Sequence, residues 1–398
     1  MTQNTFNKRK ANLIDQYKKL INRENLVDDT YSHGIYERYN YPVLTHEHVP
    51  LNWRFDFNPE ENPFLLERLR VNSVFNSGAI ATDEGVRLVA RIEGADRKSF
   101  FAVAESKTGI DQFKFWDKPI RIPETEDPDV NIYDMRLTKH EDGWTYGVFS
   151  SERKDPIKRP EILFQPFASA AIVRTKDFIN WERLPDLITR SSQQRNVVLH
   201  PEFVDGKYGF YTRPQDAFMD AGLAEGIGWG LCEDINSAVI EDEIIIDHRE
   251  FNTIKSAKNG AGAPPLKTEI GWLHIAHAVR NTAVGLRYVL YLFVCEINEP
   301  WRVIYQPGGY LIEPRNWERV GDVSNVLFCN GLLLKDDGKI FIYYASSDTR
   351  LHVATTDLGR ILDYAVNTPK DPLRSALCVD QRIALIDKNR SYWNQNDF

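Results

Sequence analysis

The sequence predicts an all-β fold: a five-bladed β-propeller with an N-terminal helical extension. Three observations carry the prediction. From about residue 70 the chain is a succession of short apolar runs broken by turn signals. An acidic-glycine turn recurs five times, with its glycine at positions 85, 143, 206, 271 and 338, at intervals of 58, 63, 65 and 67 residues. No Ser/Gly-rich linker divides the chain. Even repetition of units that each hold several short strands points to a propeller or a similar array; a long β-sandwich has no reason to space its turns so evenly.

The elements follow in order. Residues 6–24 predict an amphipathic helix, with Leu13, Ile14, Tyr17, Leu20 and Ile21 at helical spacing and Lys8, Arg9, Lys10, Lys18, Lys19 and Arg23 around them. Packing on the body or on another subunit suits this helix, so a homo-oligomer is expected. The extension is placed at 1–34 and the propeller at 35–398. Each turn, from Asp83-Glu84-Gly85 to Asp336-Asp337-Gly338, has glycine where a tight hairpin needs positive φ. Apolar strands follow the turns at 86–91, 144–149, 207–211, 272–277 and 339–345. Three units show a further echo, 101–105 then 113–116, 171–174 then 177–181, and 351–355 then 357–362, which reads as the third and fourth strands of a blade.

Composition narrows the function. With 49 basic against 57 acidic residues and a net charge of -8, the chain lacks the basic footprint of a nucleic-acid or anionic-membrane binder. The longest strongly apolar run, 288–295, is far short of the ~20 residues of a membrane span. Cys232, Cys295, Cys329 and Cys378 form no C-x-x-C pair, so neither a zinc site nor a redox motif is expected. They suit a reducing, cytoplasmic location, and the N-terminus has no apolar signal region. Aromatic residues reach 12%. That fits sugar faces packing on rings, and equally a large all-β core.

A propeller binds ligands where its blades converge, so polar residues flanking the inner strands are the candidates. Each unit supplies some: Asn76, Ser77, Arg91 and Arg97; Tyr133, Asp134 and Arg136; Arg195, His200 and Arg213; Lys267, His277 and Tyr288; Asn325, Asn330 and Asp348. Asn76 and Asp134 each stand nine residues before their turn glycine. Arg91, Arg97, Arg195, Arg213 and Lys267 direct five positive charges toward one pocket, and guanidinium groups bind phosphate in a bidentate fork. The obvious carboxylates are two, Asp134 and Asp348. Glycoside hydrolysis uses an acid together with a base or nucleophile, whereas phosphorolysis needs only the acid, because phosphate is itself an anionic nucleophile. The balance therefore favours phosphorolysis, with Asp348 or Glu202 as the second carboxylate if the chain is instead a hydrolase. A non-catalytic glycan-binding propeller is the third reading.

These segments resemble glycoside hydrolase family 130. The resemblance runs from about residue 35 to 365 and is carried by Val71-Asn-Ser-Val-Phe-Asn-Ser-Gly78, Val89-Ala-Arg-Ile-Glu93, Asn131-Ile-Tyr-Asp-Met-Arg136, Asn196-Val-Val-Leu-His-Pro-Glu202, Thr212-Arg-Pro214, Gly262-Ala-Pro-Pro-Leu-Lys-Thr-Glu-Ile-Gly-Trp272 and Tyr343-Tyr-Ala-Ser-Ser-Asp348. It implies a five-bladed propeller and inverting phosphorolysis of β-mannosides to α-mannose 1-phosphate. It implies Asp134 as the catalytic acid, acting through the mannose 3-hydroxyl. Phosphate would be held by Arg195, Arg213, Lys267 and Tyr288, with His277 beside them. Mannose would be held by Asn76, Ser77, Arg91, Arg97 and Asp348. The substrates implied are a disaccharide and phosphate, with no cofactor and no metal. Leu-His-Pro-Glu202 departs from the Phe that many relatives have before Pro-Glu. The N-terminal helix and residues 36–57 look like the branch acting on mannosyl-glucose.

His46-Glu47-His48 is not the H-E-x-x-H zinc motif; His46 or His48 could line the acceptor side. Gly260-Ala-Gly262 lacks the Gly-Lys-Ser/Thr ending of a nucleotide loop and reads as a turn before the Lys267 strand. No serine sits in a G-x-S-x-G elbow.

Overall fold

Each acidic-glycine turn joins the first two strands of a four-stranded antiparallel sheet, and five such sheets form a ring. The computed structural model describes residues 3–30, 32–154, 166–215 and 226–392. Blade I holds Val71–Thr82, Gly85–Gly94, Ser99–Ser106 and Lys114–Phe115. Blade II holds Asn131–Lys139, Thr145–Lys154, Pro166–Thr175 and Glu182–Arg183. Blade III holds Val198–Val204, Lys207–Thr212, Gly226–Cys232 and Ile240–His248. In blade IV the inner strand is split into Lys258–Ala261 and Leu266–Thr268, both paired with Gly271–Thr282; Gly285–Cys295 and Val303–Tyr305 follow outward. Blade V holds Leu327–Leu334, Lys339–Ser346 and Arg350–Asp357.

The outermost strand of blade V is Glu37–Arg38, taken from near the other end of the chain. Arg38 opposes Ala354 and Glu37 opposes Thr355. The buried Arg38–Glu318 ion pair, 2.6 Å, adds a second tie. Ring closure therefore replaces the fourth strand expected at 357–362. That stretch is helical, Leu358–Asn367, because Leu358, Ile361, Leu362 and Ala365 recur at i, i+3, i+4 and i+7 and bury the last three against blades IV and V. Residues 177–181 are likewise a turn, in which Asp177 accepts from the amides of Ile179 and Asn180. The fourth strand of blade II comes just after it.

Strand faces alternate, and here both faces are buried. Leu88, Ala90 and Ile92 pack toward blade V, while Val89 packs toward blade II. Five apolar clusters result, one in each gap between neighbouring blades, so the ring is sealed all round. Trp181, Trp229 and Trp272 lie in these gaps; much of the aromatic content is core. Burying each large side chain contributes roughly 1.5–3 kcal/mol.

Near the axis the inner strands nearly touch. A Cβ on Gly78 would meet Leu137 Cγ at 2.8 Å and the Met135 carbonyl at 2.9 Å; one on Gly331 would meet Ala79 and the Ser77 carbonyl. Three inner strands carry a β-bulge at this level, at 75–78, 133–136 and 329–331. A bulge re-aims a side chain. Asn76 and Asp134 sit in two of them with positive φ, +44° and +62°, and Asn330 sits in the third.

The N-terminal helix, Gln3–Ile21, buries only Phe6; its Tyr17 hydroxyl donates to the His48 carbonyl at 3.2 Å. A C-terminal helix that the sequence reading lacks, Ser375–Asn389, buries none of its residues. No described helix is long and apolar enough to cross a membrane.

Candidate active site

The bulges converge where the inner strands begin. Asp134 Oδ1 accepts from Asn76 Nδ2 at 2.8 Å and from Arg91 Nη1 at 3.0 Å. Arg91 also donates to Glu93 (2.7 Å) and Ser99 (3.0 Å), and its guanidinium faces the rings of Phe75 and Tyr133. Asp348, at φ +48° in the turn between two strands of blade V, completes this half. Burial raises its pKa to about 7; Arg91 opposes the rise, and Asp134 and Glu93 add to it. Near neutral pH such a carboxyl can both donate to and accept from a sugar hydroxyl.

Beneath Asp134 lies Arg136, 1% exposed. It donates to the Asp134 carbonyl (2.7 Å), to Asn196 Oδ1 (3.1 Å) and to the Gly262 carbonyl (3.2 Å). Asn330 Nδ2 donates to the same Asp134 carbonyl at 3.2 Å. One guanidinium thus ties blades II, III and IV together under the carboxylate, and Asn330 adds blade V.

The second half is basic. Arg213 is buried, which lowers its pKa to about 10 and leaves it charged at neutral pH; Tyr288, Arg195 and Tyr133 also act on it. Lys258 lies 5.3 Å from the Tyr288 ring centre. Burial, then Arg213 and Arg195, lower its pKa to about 8. Among the described residues no ion pair joins Arg213 or Lys258 to a carboxylate. Buried His277 stacks on Tyr288 and is held neutral by burial and by Arg213, Arg136 and Lys258. Gly260 permits this packing: a Cβ there would meet His277 Cε1 at 2.5 Å and Arg213 Cδ at 3.0 Å. Arg195 faces Tyr133 and lies 3.5 Å from Glu152, whose Oε1 also accepts from the Tyr133 hydroxyl at 2.6 Å. The buried Asn76 Oδ1, Asn330 Oδ1 and His277 Nδ1 lack partners among the described residues, a concentration of unmet polar atoms that suits a ligand site.

The structure brings together Asn76, Arg91, Asp134 and Asp348, and beside them Arg195, Arg213, His277 and Tyr288. It does not bring Lys267 there. Lys267 opposes Trp272 beside the Gly271 turn, while Lys258 opposes Val279 at the other end of the same strand, about 23 Å away at the usual strand rise. Lys267 is instead an exposed partner of Glu202, 2.7 Å. This also removes Glu202 as a second carboxylate. Arg97 is exposed in the turn between two strands of blade I. Ser77 is buried and donates to the Gly78 carbonyl. His200 packs in the gap between blades III and IV, edge-on to Trp272. His48 is buried, with Nδ1 engaged by Thr45, and burial drops its pKa to about 3.

The sequence reading missed Lys258, Glu93 and Glu152. It took Gly260-Ala-Gly262 for a turn, whereas residues 258–261 are inner strand. The position nine before Gly271 is Gly262, so the repeat's own spacing marked the stretch.

Residues 44–367 match the glycoside hydrolase family 130 description, "beta-1,4-mannooligosaccharide phosphorylase". The chain is 54% identical over 384 residues to a Bacteroides fragilis protein named 4-O-beta-D-mannosyl-D-glucose phosphorylase, covering 96% of this chain and 98% of that one. A Ruminococcus albus beta-1,4-mannooligosaccharide phosphorylase is 28% identical, covering 78% and 90%. The solved structure of a Listeria innocua beta-1,2-mannobiose phosphorylase superposes with a TM-score of 0.63 at 20% identity, covering 86% and 99%, a likeness of fold.

Proposed function

Because the chain belongs to glycoside hydrolase family 130, we propose that it is a phosphorylase cleaving 4-O-β-D-mannosyl-D-glucose with inorganic phosphate, giving α-D-mannose 1-phosphate and D-glucose with inversion. The observation that carries the reading is the pair of buried cations Arg213 and Lys258, which make no ion pair with a described carboxylate, in the same site as Asp134, held by Asn76 and Arg91. A mobile dianion suits such a cluster. The 54% identity to the mannosyl-glucose enzyme supports the acceptor.

In this mechanism Asp134 supplies the proton that the leaving glucose takes up, relayed through the mannose 3-hydroxyl. Asn76 and Arg91 hold its Oδ1, so the carboxyl keeps one orientation. Asp348 and Arg91 orient mannose. Arg195, Arg213 and Lys258, with Tyr288, hold phosphate for attack on C1 from the opposite face. Preorganised donors at the developing charge lower the barrier without reorganisation. A cytoplasmic location and a homo-oligomer belong to the same reading, supported by four free cysteines and by the mostly exposed N-terminal helix.

The test is product analysis with 4-O-β-mannosyl-glucose, with and without phosphate. Release of glucose and α-mannose 1-phosphate only when phosphate is present is expected. Free mannose released without phosphate would make the protein a hydrolase.

A further inference from the structure

We propose that Glu93 is a positioning residue for the acid: it is the standing counter-ion of Arg91, and so leaves Asp134 able to take up and give away a proton while Arg91 still holds it. The inference rests on the reading of Asp134 as the acid of phosphorolysis and deepens it. Arg91 and Glu93 stand two residues apart on the second strand of blade I, so they share the face that Val89 turns toward blade II. That row is apolar at Val89 and charged from Arg91 onward. Glu93 is 5% exposed. Its Oε2 accepts from Arg91 Nη2 at 2.7 Å, while Arg91 Nη1 donates to Asp134 and Nε to Ser99, both at 3.0 Å. Ser99 is tied in turn to blade II, its amide donating to Asn131 Oδ1 at 2.8 Å. Every nitrogen of the guanidinium therefore has a partner, and its orientation toward Asp134 is fixed from both blades.

Burial disfavours the Arg91 cation, and Asp134, Glu93 and Asp348 more than restore it. An acid must be neutral before it can donate. When Asp134 carries its proton, its ion pair with Arg91 is lost, and a buried guanidinium left without an anion is costly. The Arg91–Glu93 pair is untouched by that step. Glu93 also divides the pull of Arg91, since a cation that faces one carboxylate alone favours its ionised form more strongly. The other groups around the pair are Tyr133 and Arg136 from blade II and Asp348 from blade V, with Asp322 acting on Asp348.

The pH profile of kcat tests this, measured on the full-length protein with phosphate and mannosyl-glucose both saturating. Glu93→Gln keeps the shape and the acceptor for Arg91 but removes the charge. Asp134 then meets the whole charge of Arg91, which favours its ionised form, so the alkaline limb moves about one pH unit lower and kcat near neutral pH falls about ten-fold. Glu93→Asp keeps the charge but shortens the reach, so kcat falls a few-fold while the limb stays with the wild type. A limb that moves in the Gln variant and stays in the Asp variant supports the proposal. It is overturned if the Gln limb coincides with the wild type, or if both limbs move alike. An Asp variant with wild-type kcat also overturns it, and that reading stands even if the Gln variant does not fold. A wild-type protein with no phosphate-dependent release would remove the phosphorolysis reading itself, and this inference with it, before any variant is compared.

Discussion

The two halves of the site handle charge in opposite ways. Around Arg91, Asp134 and Glu93 accept its hydrogen bonds and Asp348 adds its influence, so positive charge is matched within the protein. Around Arg213 and Lys258, no described carboxylate makes an ion pair, and burial lowers the pKa of both cations. A balanced half suits a neutral sugar. An unbalanced half is costly to maintain empty, since buried charge is tolerated only when paired, and it is relieved by an anion that comes and goes. The difference supports the proposed division, sugar in the first half and phosphate in the second.

The largest effect tests the balanced half. Asp134→Asn keeps the shape and removes the acid, so turnover is expected to fall by about 10²–10⁴-fold with little change in melting temperature. Retention of full activity would sink the assignment. The next test sets the two halves against each other. Arg213→Ala should raise the phosphate KM by roughly ten- to a hundred-fold, the range for losing a charged hydrogen bond. Lys267→Ala, an exposed pair at the other end of the blade, should leave it within about two-fold. Equal effects would erase the distinction drawn between Lys258 and Lys267. The smallest effect is in pH. The pKa of Lys258 is lowered to about 8, so its charge is present below that pH and lost as pH rises through it. Phosphate KM should therefore climb a few-fold between about pH 7.5 and 9.5, and the climb should shrink in Lys258→Met. A flat wild-type profile would place Lys258 outside the subsite.

Much of the fold was legible because its signal is local. A tight hairpin demands glycine at one position, and a ring of blades repeats that demand five times. Asp134 was legible for the same reason: bulges recur at fixed distances from those turns, so nine residues before Gly85 and Gly143 stood Asn76 and Asp134. Blade IV broke the pattern. At that spacing it offers Gly262, whose contribution is a backbone carbonyl to Arg136, and its inner strand is split. Counting side chains could not see a carbonyl, and the motif that pointed to Lys267 does not show that its side chain pairs with Glu202 at the far end of the blade. The closing strand was hidden by distance, since nothing local to Glu37–Arg38 says that it pairs with residues more than 300 positions away. The helix Leu358–Asn367 escaped because the repeat invited a fourth strand where apolar residues in fact run at helical spacing.

Arg136 has a consequence for how activity is acquired. It gathers acceptors from three blades beneath the residue expected to carry the acid, and a fourth blade reaches the same carbonyl through Asn330. No fragment of one or two blades can therefore inherit a partly working centre. During refolding, turnover should return only with the last sheet to dock, well after most strand signal has recovered. Catalysis in this chain reports the completed circle, not the sum of its sectors.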